Sequence, residues 1–185
     1  MFINGNDTES IFVIIKSKNV DNILEIIRFI WQVYREKSTK EHLKKIEILW
    51  AEIYQIFKDD VSNDSKSIFS TLSKWFVFIT EIDDKKLPIL KESAKYTERN
   101  HNSYMIIEGM VSLVDNNPKA IGEIYLEMIA NEIYPDFKQE DILIIIEKLF
   151  QLGEYDNALM ICNKYKSKGA YFLNEISKQY SKAKM

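Results

Sequence analysis

Residues 142–169 read I-L-I-I-I-E-K-L-F-Q-L-G-E-Y-D-N-A-L-M-I-C-N-K-Y-K-S-K-G, and this stretch decides the fold. Apolar residues recur at helical spacing on both sides of Gly153, and glycine is the residue that most often ends a helix. The pattern predicts one amphipathic helix before Gly153 and a second one after it, folded back on each other. Stacked hairpins of this kind form extended binding surfaces, so the stretch favours interaction over catalysis.

Helical spacing continues along nearly the whole chain. The 185 residues include five Gly and three Pro, well below average usage, and no strand–turn–strand pattern interrupts the helices. A capping box is expected at Ser38–Glu41, an N-cap at Asp64, and an N-cap followed by proline at Asn117-Pro118. The prediction is an all-α fold with about nine or ten helices.

The predicted helices pair up. Pairs begin near 20, 64, 103 and 139, so they are separated by roughly 36–44 residues, the length range of helix-hairpin repeats. The pairs show no residue-by-residue self-similarity, and two architectures therefore stay open: an α-solenoid-like stack of antiparallel hairpins, or an irregular helical bundle. Residues 1–185 are expected to form a single all-helical domain, with a sub-division near 98–103.

The helix expected over about 20–36 has an unusually wide apolar surface. Ile26, Phe29 and Val33 extend the stripe that faces the core, which predicts that this helix is covered on more than one side. Tryptophan residues on apolar stripes are expected to be core anchors. All three tryptophans are placed in this class: Trp31, Trp50 and Trp75.

Residues 151–159 resemble the middle of a tetratricopeptide repeat and, more broadly, helical-repeat proteins of the tetratricopeptide and HEAT kind. In the tetratricopeptide repeat a glycine ends the first helix, an aromatic residue follows, and an alanine packs the two helices closely. The matching positions are Gly153, Tyr155 and Ala158. The sequence departs from the family at Ile146, where a small residue is usual, and at Ala170, where a proline is usual.

Residues 117–176 also look like the helical tails of large bacterial multidomain proteins, some of which are nucleotide-dependent or phage-defence machines. This likeness implies a helical partner or accessory piece without an NTPase motor of its own. The abundance of Ile, Lys and Asn is typical of an AT-rich, bacterial genome.

The charge balance disfavours nucleic acid. The net charge is −3 and the sequence pI is about 5.6, and only Arg28, Arg35 and Arg99 supply the guanidinium group that grips phosphate and guanine. A single cysteine, Cys162, fits a reducing compartment. The N-terminus lacks the pattern of a signal peptide, and no apolar run approaches the ~18 residues that span a bilayer. A cytoplasmic protein without membrane association is expected.

Motifs that carry chemistry are missing from the sequence. There is no phosphate-binding loop, dinucleotide fingerprint, CxxC or HExxH. Glu98 and His101 have the spacing of one half of a di-iron site, but the second copy is absent. Cys162 lies on an apolar helix face, where free cysteine is buried and inert. We therefore predict no catalytic residue, cofactor or metal; an enzyme with an unrecognised helical active site stays as a minor alternative.

The last third of the chain carries the candidate binding residues. Two interpretations of its lysines stay open: cations that stabilise helix C-termini, or a small basic patch interleaved with tyrosines that contacts a partner. The candidate partner-binding residues are Tyr165, Lys166, Lys168, Tyr171 and Tyr180.

Two functions fit the sequence. The first is a non-catalytic protein–protein interaction module or accessory subunit of a larger bacterial assembly. Its partner would be another protein, such as a larger enzyme or a defence-complex subunit. The alternative is a small acidic inhibitor or immunity-type protein that binds and blocks a partner enzyme. The sequence leaves the oligomeric state and the binding face open.

Overall fold

The computed structural model describes residues 7–97, 101–130, 134 and 138–183, except for the side chains at 7, 8, 101, 102 and 181–183. Within these residues the chain forms ten α-helices, one 3-10 helix and no strand, which confirms the all-α prediction. The helices are α1 Asp7–Lys16, α2 Val20–Tyr34, α3 Lys40–Phe57, α4 Asn63–Leu72, α5 Lys86–Lys95, α6 His101–Leu113, α7 Pro118–Ala130, α8 Gln139–Gln151, α9 Tyr155–Ser167 and α10 Asn174–Ala183; the 3-10 helix is Ser73–Phe78.

The helices are arranged in two layers. The odd-numbered helices α1, α3, α5, α7 and α9 contact one another in chain order. In the second layer α2 contacts α4 and the 3-10 helix, the 3-10 helix contacts α6, and α6 contacts α8. The helices from α1 to α9 thus pack on a helix of their own layer as well as on a neighbour in the other layer. Stacked helix pairs have this order of contacts.

One hydrophobic core runs through the stack. It includes residues from α1 to α9 and continues across the boundary near 98–103. Two of its largest members, Trp50 and Trp75, are 2% and 0% exposed and meet edge to face at 5.9 Å between ring centroids. The Trp75 indole N–H donates to the Ile27 carbonyl at 3.0 Å, which ties the 3-10 helix to α2.

The hairpin around Gly153 forms as expected. Gly153 has φ +89°, a left-handed conformation that glycine adopts without strain. The Glu154 N–H donates to the Leu149 carbonyl at 2.8 Å and the Gly153 N–H donates to the Phe150 carbonyl at 3.2 Å. This pair of bonds is a Schellman motif, which closes α8 and lets α9 turn back on it.

A second Schellman motif ends α9. Gly169 has φ +79°, and the Ala170 N–H donates to the Tyr165 carbonyl at 3.0 Å. The chain then needs a further turn before it is helical again. The apolar pattern of the sequence predicts a last helix over about 170–182. Because of this turn α10 begins only at Asn174, so the predicted start is wrong.

Two predicted helix starts are shifted by one or two residues. The capping box consists of Thr39 and His42: the Thr39 hydroxyl accepts from the His42 N–H at 3.3 Å, and His42 Nδ1 accepts from the Thr39 N–H at 3.2 Å. Ser62, and not Asp64, is the N-cap of α4, because its hydroxyl accepts from the Ser65 N–H at 3.2 Å. The box expected at Ser38–Glu41 is therefore wrong in register.

The helix expected to continue from 64 to 79 instead tightens after Leu72 into the 3-10 helix. Its aromatic side chains have to reach different neighbours: Trp75 bonds to α2, whereas Phe76 lies against Gly109 of α6. Three aromatic side chains within four residues are buried there, and tertiary packing overrides the regular α-helical period. Asn117-Pro118 begins α7 as predicted.

Candidate partner-binding surface

Tyr165, the first of the candidate binding residues, belongs to the core. Its side chain is 0% exposed, and its hydroxyl lies 2.8 Å from the hydroxyl of Tyr125. The rings of Tyr134 and Phe172 meet it edge to face at 5.0 Å and 5.4 Å. The prediction that Tyr165 contributes to a binding patch is wrong, because it continues the buried stripe of α9.

The other four candidates do not form one patch of exposed side chains. Tyr180 is half-buried, and its ring stacks on Phe150 at 4.6 Å with an interplanar angle of 3°. Lys166 and Lys168 are exposed at the end of α9, where cations favour the helix dipole. Tyr171 is 61% exposed. Lys166, Lys168 and Tyr171 offer surface, while Tyr165 and Tyr180 hold the hairpin and α10 in place.

Two ionisable groups near Tyr165, Cys162 on α9 and Tyr125 on α7, are buried in the same core. Cys162 is 4% exposed, and burial raises the pKa of its thiol to about 12. Burial, helped by the nearby Tyr165, raises the pKa of the Tyr125 hydroxyl well above its ordinary value. A thiol with so high a pKa is a poor nucleophile at neutral pH, because only the thiolate reacts.

Helix α2 presents the surface that the sequence analysis missed. The expectation that its second apolar side is covered is wrong: Phe29 and Val33 are 39% and 41% exposed, and Ile26 is half-buried. Isolated exposed apolar side chains are ordinary, and Met160 on α9 is another example. On α2 the exposed apolar side chains lie next to a concave feature, and this combination is typical of an interaction site.

The concave feature is a groove of about 510 Å³ between α1 and α2. Its volume lies within the range of sites that hold a small molecule or an inserted side chain. The apolar lining residues are Ile11, Ile14, Ile26, Phe29 and Ile30. The polar lining residues are Asn22, Glu25, Arg28 and Gln32.

Cations surround an indole ring on the neighbouring side of α2. Arg35 Cζ and Lys74 Nζ lie 5.1 Å and 5.2 Å from the centroid of the Trp31 ring, within cation–π range. Trp31 packs on the core, as predicted for a core anchor, but its ring stays partly exposed, unlike those of Trp50 and Trp75. We call Arg28, Arg35 and Lys74, together with Trp31, the cationic cluster.

Electrostatics set the cationic cluster apart from the other charged surfaces. Within the described part of the chain, its three cations form no ion pair with a carboxylate. Partial burial, and secondarily the charge of Arg28, lower the pKa of Lys74. Lys91 on α5 is different, because Glu123 and Glu127 lie 3.4 Å and 3.6 Å from its Nζ atom.

The metal hypothesis falls largely outside the described residues. Glu98 and the side chain of His101 belong to the part of the chain that is not described. Among the described residues, no group of three or more His, Cys, Asp and Glu side chains has an arrangement that could hold a metal ion. The described helices also include none with the length and hydropathy that crossing a bilayer requires.

Comparisons with protein-family models, with curated proteins and with solved structures give no match for this chain. Its function is therefore inferred from its own residues. One signal for the cationic cluster was present in the sequence: Arg28, Trp31 and Arg35 follow i, i+3, i+7 spacing, which places them on one face of a helix. Lys74 joins them only through the fold.

Proposed function

We propose that this protein is a non-catalytic protein–protein interaction module, an accessory subunit of a larger bacterial assembly. The observation that carries the proposal is the partly exposed apolar strip of α2, consisting of Ile26, Phe29 and Val33, beside the groove between α1 and α2. Apolar side chains next to a groove and bordered by polar groups are typical of interaction sites.

The two-layer arrangement supports the proposal. Helices that pack on the helix two places along the chain leave long outer faces, and helical-repeat proteins use such faces to bind peptides, helices or protein surfaces. The Schellman motif at Gly153 closes α8 and lets α9 turn back on it, as in a helix hairpin. Both features favour a solenoid-like scaffold over an irregular bundle.

The alternative of an acidic inhibitor receives less support from the charges. An inhibitor of that kind would use unpaired carboxylates to cover the cationic site of an enzyme. On this chain several carboxylates already have cationic partners: Glu47 lies 3.2 Å from Lys86, and Asp115 lies 2.7 Å from Lys148. Arg28, Arg35 and Lys74, which form no ion pair within the described residues, give the cationic cluster the opposite sign.

A matched pair of substitutions tests the proposal. Val33→Asp places a charge in the apolar strip of α2, whereas Val61→Asp makes the same change at a residue that is 77% exposed in the loop before α4. In pull-downs from the native host, we expect wild type and Val61→Asp to capture the same partner and Val33→Asp to lose it. Repeated pull-downs without a partner, or a partner that Val33→Asp retains in full, would refute the proposal.

A further inference from the structure

We propose that the groove between α1 and α2 and the adjoining cationic cluster together bind an acidic amphipathic segment of a partner protein, with apolar side chains in the groove and carboxylates on Arg28, Arg35 and Lys74. The inference rests on the proposed function, because it assumes a protein partner. It adds the chemistry by which the partner is recognised.

The geometry joins an apolar site to a charged one. Arg28 lines the groove and also lies near enough to Lys74 to affect its ionisation. Trp31 and Arg35 follow Arg28 on the same face of α2 at i, i+3, i+7 spacing. A ligand that fills the groove therefore reaches the cations without leaving α2, and it has to offer both apolar and acidic groups.

The charges determine the sign of the ligand. Arg28 and Lys74 lie close enough for their like charges to repel, and part of the solvation of Lys74 is already lost. Within the described residues the fold supplies no carboxylate to relieve this repulsion, although the molecule as a whole is acidic. Carboxylates from outside would relieve it, and arginine binds them with paired hydrogen bonds. Glu25 and Arg28 have opposite charges among the described groove-lining side chains, so the excess positive charge comes from Arg35 and Lys74 beside the groove.

The arrangement favours a protein segment over nucleic acid. A nucleic-acid footprint is a wide basic face, whereas this cluster is confined to α2, its C-cap Arg35 and one residue of the 3-10 helix. The groove is lined by isoleucine and phenylalanine as well as by Arg28, so it suits an apolar side chain next to an acidic group better than a continuous phosphate backbone. An amphipathic helix laid in a groove is a common mode of peptide recognition.

The first experiment measures binding of a fluorescein-labelled peptide built from repeats of Leu-Glu-Glu-Leu-Leu-Glu-Glu, by fluorescence anisotropy. Two further peptides replace every Glu by Lys or every Leu by Ser. We expect the acidic amphipathic peptide to bind and both others to bind at least about tenfold more weakly, because each lacks one of the two required interactions. Added salt should weaken the complex by screening. Equal binding of the Lys peptide, or no binding of the acidic peptide, would overturn the inference.

Variants of equal charge locate the interaction. The cluster variant combines Arg28→Gln, Arg35→Gln and Lys74→Gln. The control variant removes the same charge at three exposed lysines elsewhere: Lys58→Gln, Lys66→Gln and Lys119→Gln. We expect about tenfold weaker peptide binding for the cluster variant and less than about twofold for the control, because long-range charge effects are screened. Equal loss in both variants would contradict a specific site.

A second matched pair of variants tests the groove without removing a cation. Gln32→Glu places a carboxylate in the groove, whereas Gln55→Glu makes the same change on an exposed part of α3. Repulsion should weaken peptide binding to Gln32→Glu only.

Sedimentation of the wild type shows whether a second copy occupies the groove. Dimers that the cluster variant loses would overturn the inference. Binding of a single-stranded oligonucleotide as tight as that of the acidic peptide would also overturn it.

The two proposals can fail separately. If Val33→Asp loses the partner and the cluster variant still captures it in full, the interaction module stands and the acidic segment is wrong. If the acidic peptide binds at the cluster but no partner is ever captured from the host, the site chemistry is right and the proposed function is not supported.

Discussion

Helices α2 and α9 each have an aromatic residue near cations. The aromatic ring is buried on α9 and partly exposed on α2. On α9, Tyr165 is flanked in sequence by Lys164 and Lys166, but its ring is fully buried and the lysines point elsewhere. On α2, Trp31 stays partly exposed, and cations from two elements lie over its ring. Neighbouring positions in the sequence of a helix lie about 100° apart, so they rarely share a surface.

The removal of the Tyr165 ring is the substitution with the largest expected effect on the free energy of unfolding. Tyr165→Ala should lower the free energy of unfolding by about 4 kcal/mol, because it leaves a cavity among Tyr125, Tyr134 and Phe172. Tyr171→Ala, at a residue that is 61% exposed, should change it by less than about 0.5 kcal/mol. Urea denaturation measures both. Similar losses for the two variants would contradict the assignment of Tyr165 to the core.

A finer change removes only the hydroxyl. Tyr165→Phe leaves the buried hydroxyl of Tyr125 without the group it pairs with, and we expect a loss of about 1–3 kcal/mol. The double variant Tyr125→Phe with Tyr165→Phe should recover part of this loss, because no polar group is then left unpaired. A double-mutant cycle by urea denaturation measures the coupling, and strict additivity would contradict the hydrogen bond.

The pH dependence of stability also distinguishes the two helices. The pKa of Cys162 rises from 9.0 to about 12 on folding, so the folded state holds this proton more tightly. Its contribution is fully present below pH 9.0 and is lost as the pH rises toward 12. Between these values the free energy of unfolding should fall by about 1.4 kcal/mol per pH unit because of this group. The difference between wild type and Cys162→Ala isolates the slope; parallel curves would refute it.

A substitution at Gly153 can strain the backbone of the hairpin without changing how its two helices pack. Gly153→Ala should cost about 1 kcal/mol, because φ is +89° and a side chain there is disfavoured in any surroundings. An added Cβ atom would meet nothing within 4 Å, so no clash contributes. Gly153→Asn should cost less, since asparagine tolerates this conformation better. Thermal unfolding measures both, and a neutral Gly153→Ala would refute the strain.

The smallest expected effect on the free energy of unfolding comes from a substitution in the cationic cluster. The pKa of Lys74 is lowered on folding, so its charge opposes the folded state at neutral pH. Lys74→Gln should therefore raise the free energy of unfolding, by no more than about a few tenths of a kcal/mol, because the group is partly solvated and the contact with Trp31 is lost as well. Lys58→Gln is the control, and urea denaturation is the measurement. A clear loss of stability would show that Lys74 holds the fold together.

Local features were the ones that could be predicted. The helix ends at Gly153 and the start at Asn117-Pro118 depend on residues adjacent in the chain, and the structure has them as expected. The register of the capping box was wrong because Ser38 and Thr39 are chemically similar, and only the bond from Thr39 to His42 decides between them. The break after Leu72 was missed because it serves packing against α2 and α6.

The candidate binding surface was predicted less well. Tyr165 was grouped with lysines close to it in sequence, although its spacing from Ala158 and Cys162 already places it on the buried stripe. Val33 and Phe29 were expected to be covered, since a wide apolar stripe on a helix usually has partners on both sides. How far such a stripe is covered depends on how the helices are stacked, and the pattern of one helix does not contain that information.

The sequence by itself determined that this chain is all-helical and that its helices turn back at Gly153, because helix periodicity and glycine conformation act over a few residues. The tertiary structure alone decided which surfaces are left over. It brings the Tyr125 and Tyr165 hydroxyls together from positions 40 residues apart and brings Lys74 to Trp31. Contacts of this kind depend on the packing order of whole helices, which no local pattern specifies.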